Sequence, residues 1–503
     1  MNKLINIEPN RVFHYFEEIC SIPHGSDNTD KIAEYCVNFA KLHWLHYVHD
    51  EANNIIIYKD GTKASEPVIL QGHIDMVCQK TADCTINFET DGIDIYIDGD
   101  YIRAKGTTLG ADNGVAVAIM LAMLESKDIT HPPIEAVFTS DEEIGMIGAG
   151  KLDGTKLSGK RLINLDTDGI NKLTVSCAGG SDFKIFMTVK RTIACGKKVS
   201  VTVKGLKGGH SGVEIHKGRV NANILAGRIL NYASKICNFD ILSINGGDKG
   251  NAITPICNMS LVVADSEDFI SKMEDYFALI KKEMSEREDN LDIAIKVEED
   301  GNFDVIDKES KDKLIYMLIT VPNGVVDMSA EIENLVETSL NLGVLTTEEE
   351  RIVFHFVLRS NKKTAIDFLE ERLTLLATYN GCDIEVFGHY PPWEYKESSQ
   401  LRDEYIKAYE KIYNDKPDIL AIHAGLECGI LSSKIKDVDC ISIGPDICDM
   451  HTVNERLSIS STKQFFELLV DMLSKIWYKH LNSTKEILWK RRQNLSLMYL
   501  LIK

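Results

Sequence analysis

The sequence predicts an α/β protein in which a mixed, largely parallel sheet flanked by helices is split by an inserted α+β domain. Three observations carry that expectation. The 503 residues exceed the ~250–300 at which a single core stops growing, so the chain divides into domains. In its first third, short apolar runs alternate with helix-like segments, the pattern of parallel strands joined by helical crossovers. After Gly179-Gly180 the pattern changes to β-branched alternation, and after Pro391 the first pattern returns.

The elements follow in order. Residues 9–39 read as helical, because Glu17, Glu18, Asp30 and Lys31 interleave with apolar positions at helical spacing. Residues 54–58 and 67–70 are strand-like, and residues 114–124 form an apolar run too long for a strand, hence a buried helix. Residues 136–139 and 161–165 are again strand-like. Residues 183–203 alternate as strands, with helices expected at 221–236 and 266–286. A second strand and helix follow at 352–358 and 364–378, and a further pair at 440–443 and 399–413. These signals divide the chain into a main domain in two parts, 1–182 and 385–480, with an insert at 183–384 long enough for two α+β units. A tail at 481–503 holds Trp489-Lys490-Arg491-Arg492 and reads as an appended helix or a frayed end.

Charge excludes several function classes. Lys and Arg total 56 against 76 Asp and Glu, a formal charge of −20. Such a surface opposes non-specific nucleic-acid binding, which needs clustered cations, and docking on anionic membranes. The twelve cysteines are scattered, with no CxxC pair, and read as free thiols in a reducing compartment. The first residues show no apolar signal region. The longest apolar run, residues 115–124, has about half of the ~20 residues a bilayer span requires. A soluble cytoplasmic protein is expected.

Four short motifs follow apolar runs: Gly72-His73-Ile74-Asp75, Gly110-Ala111-Asp112-Asn113-Gly114, Ser140-Asp141-Glu142-Glu143-Ile144-Gly145 and Leu165-Asp166-Thr167-Asp168-Gly169. Taken singly, each has an ordinary explanation: a solvated Glu-Glu pair, an Asn-Gly turn or a helix N-cap. In order, and at the carboxyl ends of strands, they place His73, Asp112, Glu142, Glu143 and Asp166 where α/β sheets build binding sites. Imidazole and carboxylate ligands without cysteine suit Zn²⁺, Mn²⁺ or Co²⁺. A carboxylate can bridge two ions about 3.5–4 Å apart.

The second motif lies in the longer string Gly106-Thr107-Thr108-Leu109-Gly110-Ala111-Asp112-Asn113-Gly114, and farther on stand Gly208-Gly209-His210-Ser211-Gly212, His423-Ala424-Gly425-Leu426-Glu427-Cys428-Gly429 and His451-Thr452-Val453-Asn454-Glu455. On them the chain resembles the aminoacylhistidine dipeptidase family (peptidase D, cytosol non-specific dipeptidases) of dinuclear zinc metallopeptidases. The resemblance implies that His73 and Asp166 bind one metal, Glu143 and His451 the other, and that Asp112 bridges both. Asp75 would stand behind His73 and fix its tautomer. Glu142 would take a proton from the water held between the metals and return it to the leaving amine.

The resemblance also implies a split catalytic domain and a lid, the lid being the inserted domain. A histidine in a glycine-rich loop can donate to a developing oxyanion. In the family this histidine, His210 here, comes from the lid, often the lid of a partner subunit. Gly250-Asn251-Ala252-Ile253-Thr254-Pro255 and Leu358-Arg359-Ser360 resemble lid motifs that hold the substrate carboxylate, and arginine suits a bidentate grip. His423 and Glu427 either touch the substrate or shape their loop. The expected function is hydrolysis of dipeptides with a free amino terminus, Xaa-His types among them. Two divalent ions per chain are expected, zinc first with cobalt or manganese as alternatives, in a homodimer. The rivals are an amidase, deacylase or carboxypeptidase on the same centre, or a non-catalytic metal-binding protein.

Overall fold

Strands Val68–His73 and Ile134–Thr139 are buried at every position, as strands covered on both faces must be. They pair in parallel, from Val68 opposite Ile134 to His73 opposite Thr139. Strand Arg161–Asn164 runs parallel on the other side of Val68–His73, and Asp439–Ser442 runs parallel beyond it. Ile55–Lys59 adds antiparallel to Ile134–Thr139, and His46–His49 adds antiparallel at that edge. Lys172–Cys177 and Asp418–Ile422 complete the eight-stranded sheet at the opposite edge. The sheet is therefore mixed, with a parallel centre. The computed structural model that shows this describes residues 3–62 and 65–475, so the tail at 481–503 lies outside the described residues.

The chain forms two compact units. One comprises Met1–Val175, Tyr395–Leu420 and the chain from Leu426 onward; the other comprises Ser176–Glu394 and Ala421–Gly425. In the first, helix Ala111–Glu125 is buried along almost its whole length and packs on strand Val68–His73 and on helix Asn10–Cys20. The expected helix over 9–39 is two helices, Asn10–Cys20 and Asp30–Leu42. Pro23 and Gly25 lie between them. Proline pushes its predecessor out of the helical region, and glycine adds backbone freedom.

The second unit carries a nine-stranded antiparallel sheet. Strand Gly179–Thr188 alternates buried and half-exposed positions over most of its length, the mark of a sheet covered on one face. It pairs with Arg351–Ser360 and Asp383–Tyr390. Helices Ala222–Ile236, Ser266–Met284, Lys308–Thr320 and Lys363–Tyr379 contribute to a hydrophobic cluster that extends from Phe183 to Ala377. Asn221 and Asp265 start two of these helices by accepting from backbone N–H groups with their side chains. The insert thus holds one continuous sheet rather than two separate α+β units.

One close approach positions the site. A Cβ on Gly72 would stand 2.4 Å from Asn113 Oδ1 and 2.9 Å from Ala116 Cβ. Only glycine lets the end of the strand meet the first turn of helix Ala111–Glu125 there. Gly72→Ala should destabilise the metal-free chain by about 1–3 kcal/mol, the usual cost of overpacking. A lowered denaturant midpoint at constant slope checks it; an unchanged midpoint contradicts it.

Candidate metal centre

The first unit gathers its acidic and histidine motifs at the carboxyl ends of the parallel strands. His73 ends strand Val68–His73. Glu142 and Glu143 follow Ile134–Thr139, and Asp166 follows Arg161–Asn164. Asp112 lies in the first turn of helix Ala111–Glu125, in a non-helical conformation with φ −83° and ψ 104°. His451 comes from the loop between Ile447–Cys448 and Arg456–Ser458, with a left-handed φ of 61°. The left-handed conformation of His451 costs energy for a non-glycine residue, and such residues cluster at functional sites.

Asp112 is the centre of the arrangement. Its Oδ1 lies 3.2 Å from His73 Nε2 and its Oδ2 3.1 Å from His451 Nε2. Each histidine also meets a second carboxylate: His73 Nε2 is 3.6 Å from Asp166 Oδ1, and His451 Nε2 is 2.9 Å from Glu143 Oε1. His73, Asp112 and Glu143 offer ligand atoms that all lie within 4.8 Å of one another. All five expected ligands are therefore brought together, in two pairs joined by Asp112. The donor set is nitrogen and oxygen only, which fits divalent zinc, cobalt or manganese. Glu143 Oε1 is buried and faces the same His451 nitrogen that Asp112 Oδ2 meets.

Asp75 sits behind His73. Its Oδ1 is 3.3 Å from His73 Nδ1, and that nitrogen is also 3.0 Å from the Asp75 carbonyl. The same carboxylate accepts from the backbone N–H groups of Glu142 at 3.0 Å and Glu143 at 3.3 Å. One side chain thus orients a histidine and the turn that carries both glutamates. Ser26 Oγ donates to it at 2.8 Å, and no sequence signal pointed to Ser26. Asn113, which reads as a turn residue in sequence, accepts from His73 N at 3.3 Å and donates to the Leu165 carbonyl at 2.9 Å. Glu427, fully buried, accepts from Gln71 Nε2 and from Thr139 Oγ1.

The electrostatics follow from crowding. Burial opposes charge on His73, but hydrogen bonds with Asp112, Asp166 and Asp75 outweigh it and raise its pKa well above the ordinary value. Hydrogen bonds with Asp112 and Glu143 raise His451 to about 10. Burial, aided by the charges of Asp112 and Glu143, raises Asp166 to about 7. Burial raises Glu142 well above the usual carboxylate range and Glu427 to about 7.

The second unit holds the other expected residues. His210 pairs with Ala252 across a two-stranded ribbon. Its Nδ1 accepts from the backbone N–H groups of Gly212 and Val213, each at 3.1 Å. Burial and the nearby Arg359 lower its pKa. The neutral ring therefore carries its hydrogen on Nε2. Arg359 is buried; it donates from Nη1 to Tyr390 at 2.8 Å, and its Nε has no partner. His423 is buried 2.7 Å from Ser339 Oγ. Asn251 is exposed, and its carbonyl accepts from Ser211 N at 2.9 Å.

A mixed α/β sheet with a parallel centre thus gathers histidines and carboxylates around Asp112, a donor set that fits a divalent cation. The chain belongs to the peptidase family M20/M25/M40, whose model matches residues 69–475. It is 37% identical to the cytosol non-specific dipeptidase of Escherichia coli K12 over 483 residues, 95% of this chain and 99% of that protein. It superposes on the aminoacylhistidine dipeptidase of Vibrio alginolyticus with a TM-score of 0.86 at 37% identity, covering 94% of this chain and 98% of that one. A Bacillus cereus aminopeptidase shares the fold, with a TM-score of 0.54 at 16% identity over 93% of this chain and 99% of that one. No helix among the described residues is long and apolar enough to cross a membrane.

His423 gives a pH prediction. Burial, reinforced by Arg359, lowers its pKa to about 3, while an unfolded histidine titrates near ~6.5. The unfolded chain then binds more protons between these values, so the stability His423 confers is present above ~6.5 and lost as pH falls. The unfolding midpoint of a His423→Gln chain should fall less steeply than the parent's between pH ~6.5 and ~4.5. Parallel profiles would contradict this.

Proposed function

We propose that the chain is a metal-dependent dipeptidase that hydrolyses peptides with a free amino terminus, Xaa-His types included. The reading rests above all on Asp112, whose two oxygens face two histidines that each meet a separate carboxylate. In this proposal His73 and Asp166 hold one divalent ion, Glu143 and His451 the other, and Asp112 both, with zinc first and cobalt or manganese as alternatives. When bound, such ions polarise a peptide carbonyl and acidify water.

The chain's own groups supply the rest. Glu142 takes the proton of the attacking water and delivers it to the leaving amine. Adjacent glutamates divide the work because one turn, held by Asp75, presents them differently. His210 donates from Nε2 to the oxygen that gains charge, a role supported by the two N–H groups on its Nδ1. Arg359, whose buried Nε is unpartnered, grips the substrate carboxylate with Asn251. Glu427 and His423 contact the rest of the substrate or shape the loop between them.

The first unit is then the catalytic body and the second unit the lid, the parts read from sequence as 1–182 with 385–480 and as 183–384. Twelve free thiols suit the reducing cytoplasm. A homodimer is the assembly we assign. Exposed Phe368, Leu375 and Tyr379 on one helix of the second unit form the kind of apolar surface a second copy covers.

Two experiments test the proposal. Metal-reconstituted protein should cleave free dipeptides and leave N-acetyl amino acids and N-blocked dipeptides intact; preference for the acetylated compounds would make it a deacylase. Glu142→Gln should lower kcat by ~10²–10⁴ with metal content nearly unchanged, whereas Glu143→Gln should lose metal. Equal metal loss in both variants would overturn the division of roles.

A further inference from the structure

We infer that Glu455 is a positioning residue that fixes the shared ligand Asp112 and the ligand His451 in register before any metal binds. The inference rests on the metal reading above. Glu455 is 3% exposed. Its Oε2 accepts from the backbone N–H groups of Leu109 at 2.7 Å and Gly110 at 3.1 Å. Its Oε1 accepts from Ala111 at 2.8 Å and Asp112 at 3.2 Å. Four consecutive main-chain donors thus converge on one side chain.

The local structure explains why they need it. A helix leaves its first N–H groups without internal partners. Helix Ala111–Glu125 begins after Gly110, which has no side chain to cap it, and the backbone at Asp112 and Asn113 is not yet helical. Glu455 replaces the missing cap from a distant part of the chain, and a carboxylate is the charge that a helix start favours. Asp112 is therefore presented by a turn whose N–H groups are tied to Glu455 rather than to helix carbonyls.

The other end of the link is equally short. Glu455 lies four residues after His451 in the sequence. The intervening turn is closed by Glu455 N donating to the Thr452 carbonyl at 3.1 Å and by Thr452 Oγ1 donating to the Asp449 carbonyl at 2.7 Å. Strand Arg456–Ser458 then pairs with Tyr101–Ala104 and anchors the segment. One carboxylate therefore joins the turn carrying Asp112 to the turn carrying His451, whose side chains meet at 3.1 Å. The link needs an acceptor at both oxygens. Glu455→Gln keeps the volume but turns an N–H₂ group toward two N–H donors.

The test is zinc affinity, measured on the metal-free full-length chain by competition with a chromophoric chelator, well below its unfolding midpoint. Glu455→Gln should weaken zinc binding ~10–100-fold, the usual effect of losing an outer support of a metal ligand. A purely structural role would lower the unfolding midpoint and leave the affinity of the folded chain alone; unchanged affinity overturns the inference. Should the variant not fold, amide hydrogen exchange on the metal-free parent decides. Protection of the Leu109 to Asp112 amides supports the link, and free exchange there overturns it. A parent chain that takes up no zinc removes the metal reading and the inference with it, whereas a parent that binds zinc no better than the variant removes only the inference.

Discussion

The structure turns on the sharing of one half-buried carboxylate. Asp112 faces two histidines, and Asp166, Glu143 and Glu142 crowd the same end of the sheet. Carboxylates that leave water must be paired, hydrogen-bonded or neutralised. Here burial and mutual repulsion push Asp166 and Glu142 upward while the histidines are pushed toward their charged forms. The cluster lacks positive charge, and divalent ions between the ligands would supply it.

Holding such a cluster requires a rigid frame. Beneath it, polar side chains cross the sheet from strand to strand. Gln71 donates to Glu427 and accepts from Asn164 Nδ2 at 2.7 Å. Ser442 donates to Asn164, and Thr167 Oγ1 lies 2.7 Å from Ser442 Oγ and 3.1 Å from Thr174 Oγ1. Gln71, Asn164, Ser442 and Thr174 are fully buried. A buried network of this kind fixes orientation, because turning any of its amides or hydroxyls would leave further buried groups unpaired. Asp75 continues the same principle one layer higher, tying the His73 ring to the backbone of both glutamates.

The parts legible in sequence were those with a strong local signature. The runs at 67–70, 136–139 and 161–165 are apolar because their strands are buried, and the motifs with His73, Glu143 and Asp166 stand directly after them, while Asp112 opens the apolar helical run. His73, Asp112, Glu143 and Asp166 were therefore readable together. Long-range supports were not. Ser26 reaches Asp75 across 49 positions, and nothing near Ser26 marks it. Glu455 was visible only as the last residue of a histidine string. Strand Asp292–Ile306 is hard to read in sequence because Glu299 and Gly301 stand where the alternation of Ile293, Ile295 and Val297 would continue. It pairs with Arg191–Lys204 as a ribbon, where Lys198 meets Glu298 at 2.8 Å and Lys197 meets Asp300 at 2.6 Å. Solvated charge hides the period that a buried strand reveals.

In the proposed function Asp112 serves two ions at once. Anomalous diffraction at the zinc edge, on crystals of the zinc-loaded protein, tests it most directly. Two peaks about 3.5–4 Å apart are expected. Each should lie at a coordination distance of ~2.0–2.2 Å from a different oxygen of Asp112, one beside His73 and Asp166 and the other beside His451 and Glu143. A single peak, or two peaks of which only one touches Asp112, would contradict it.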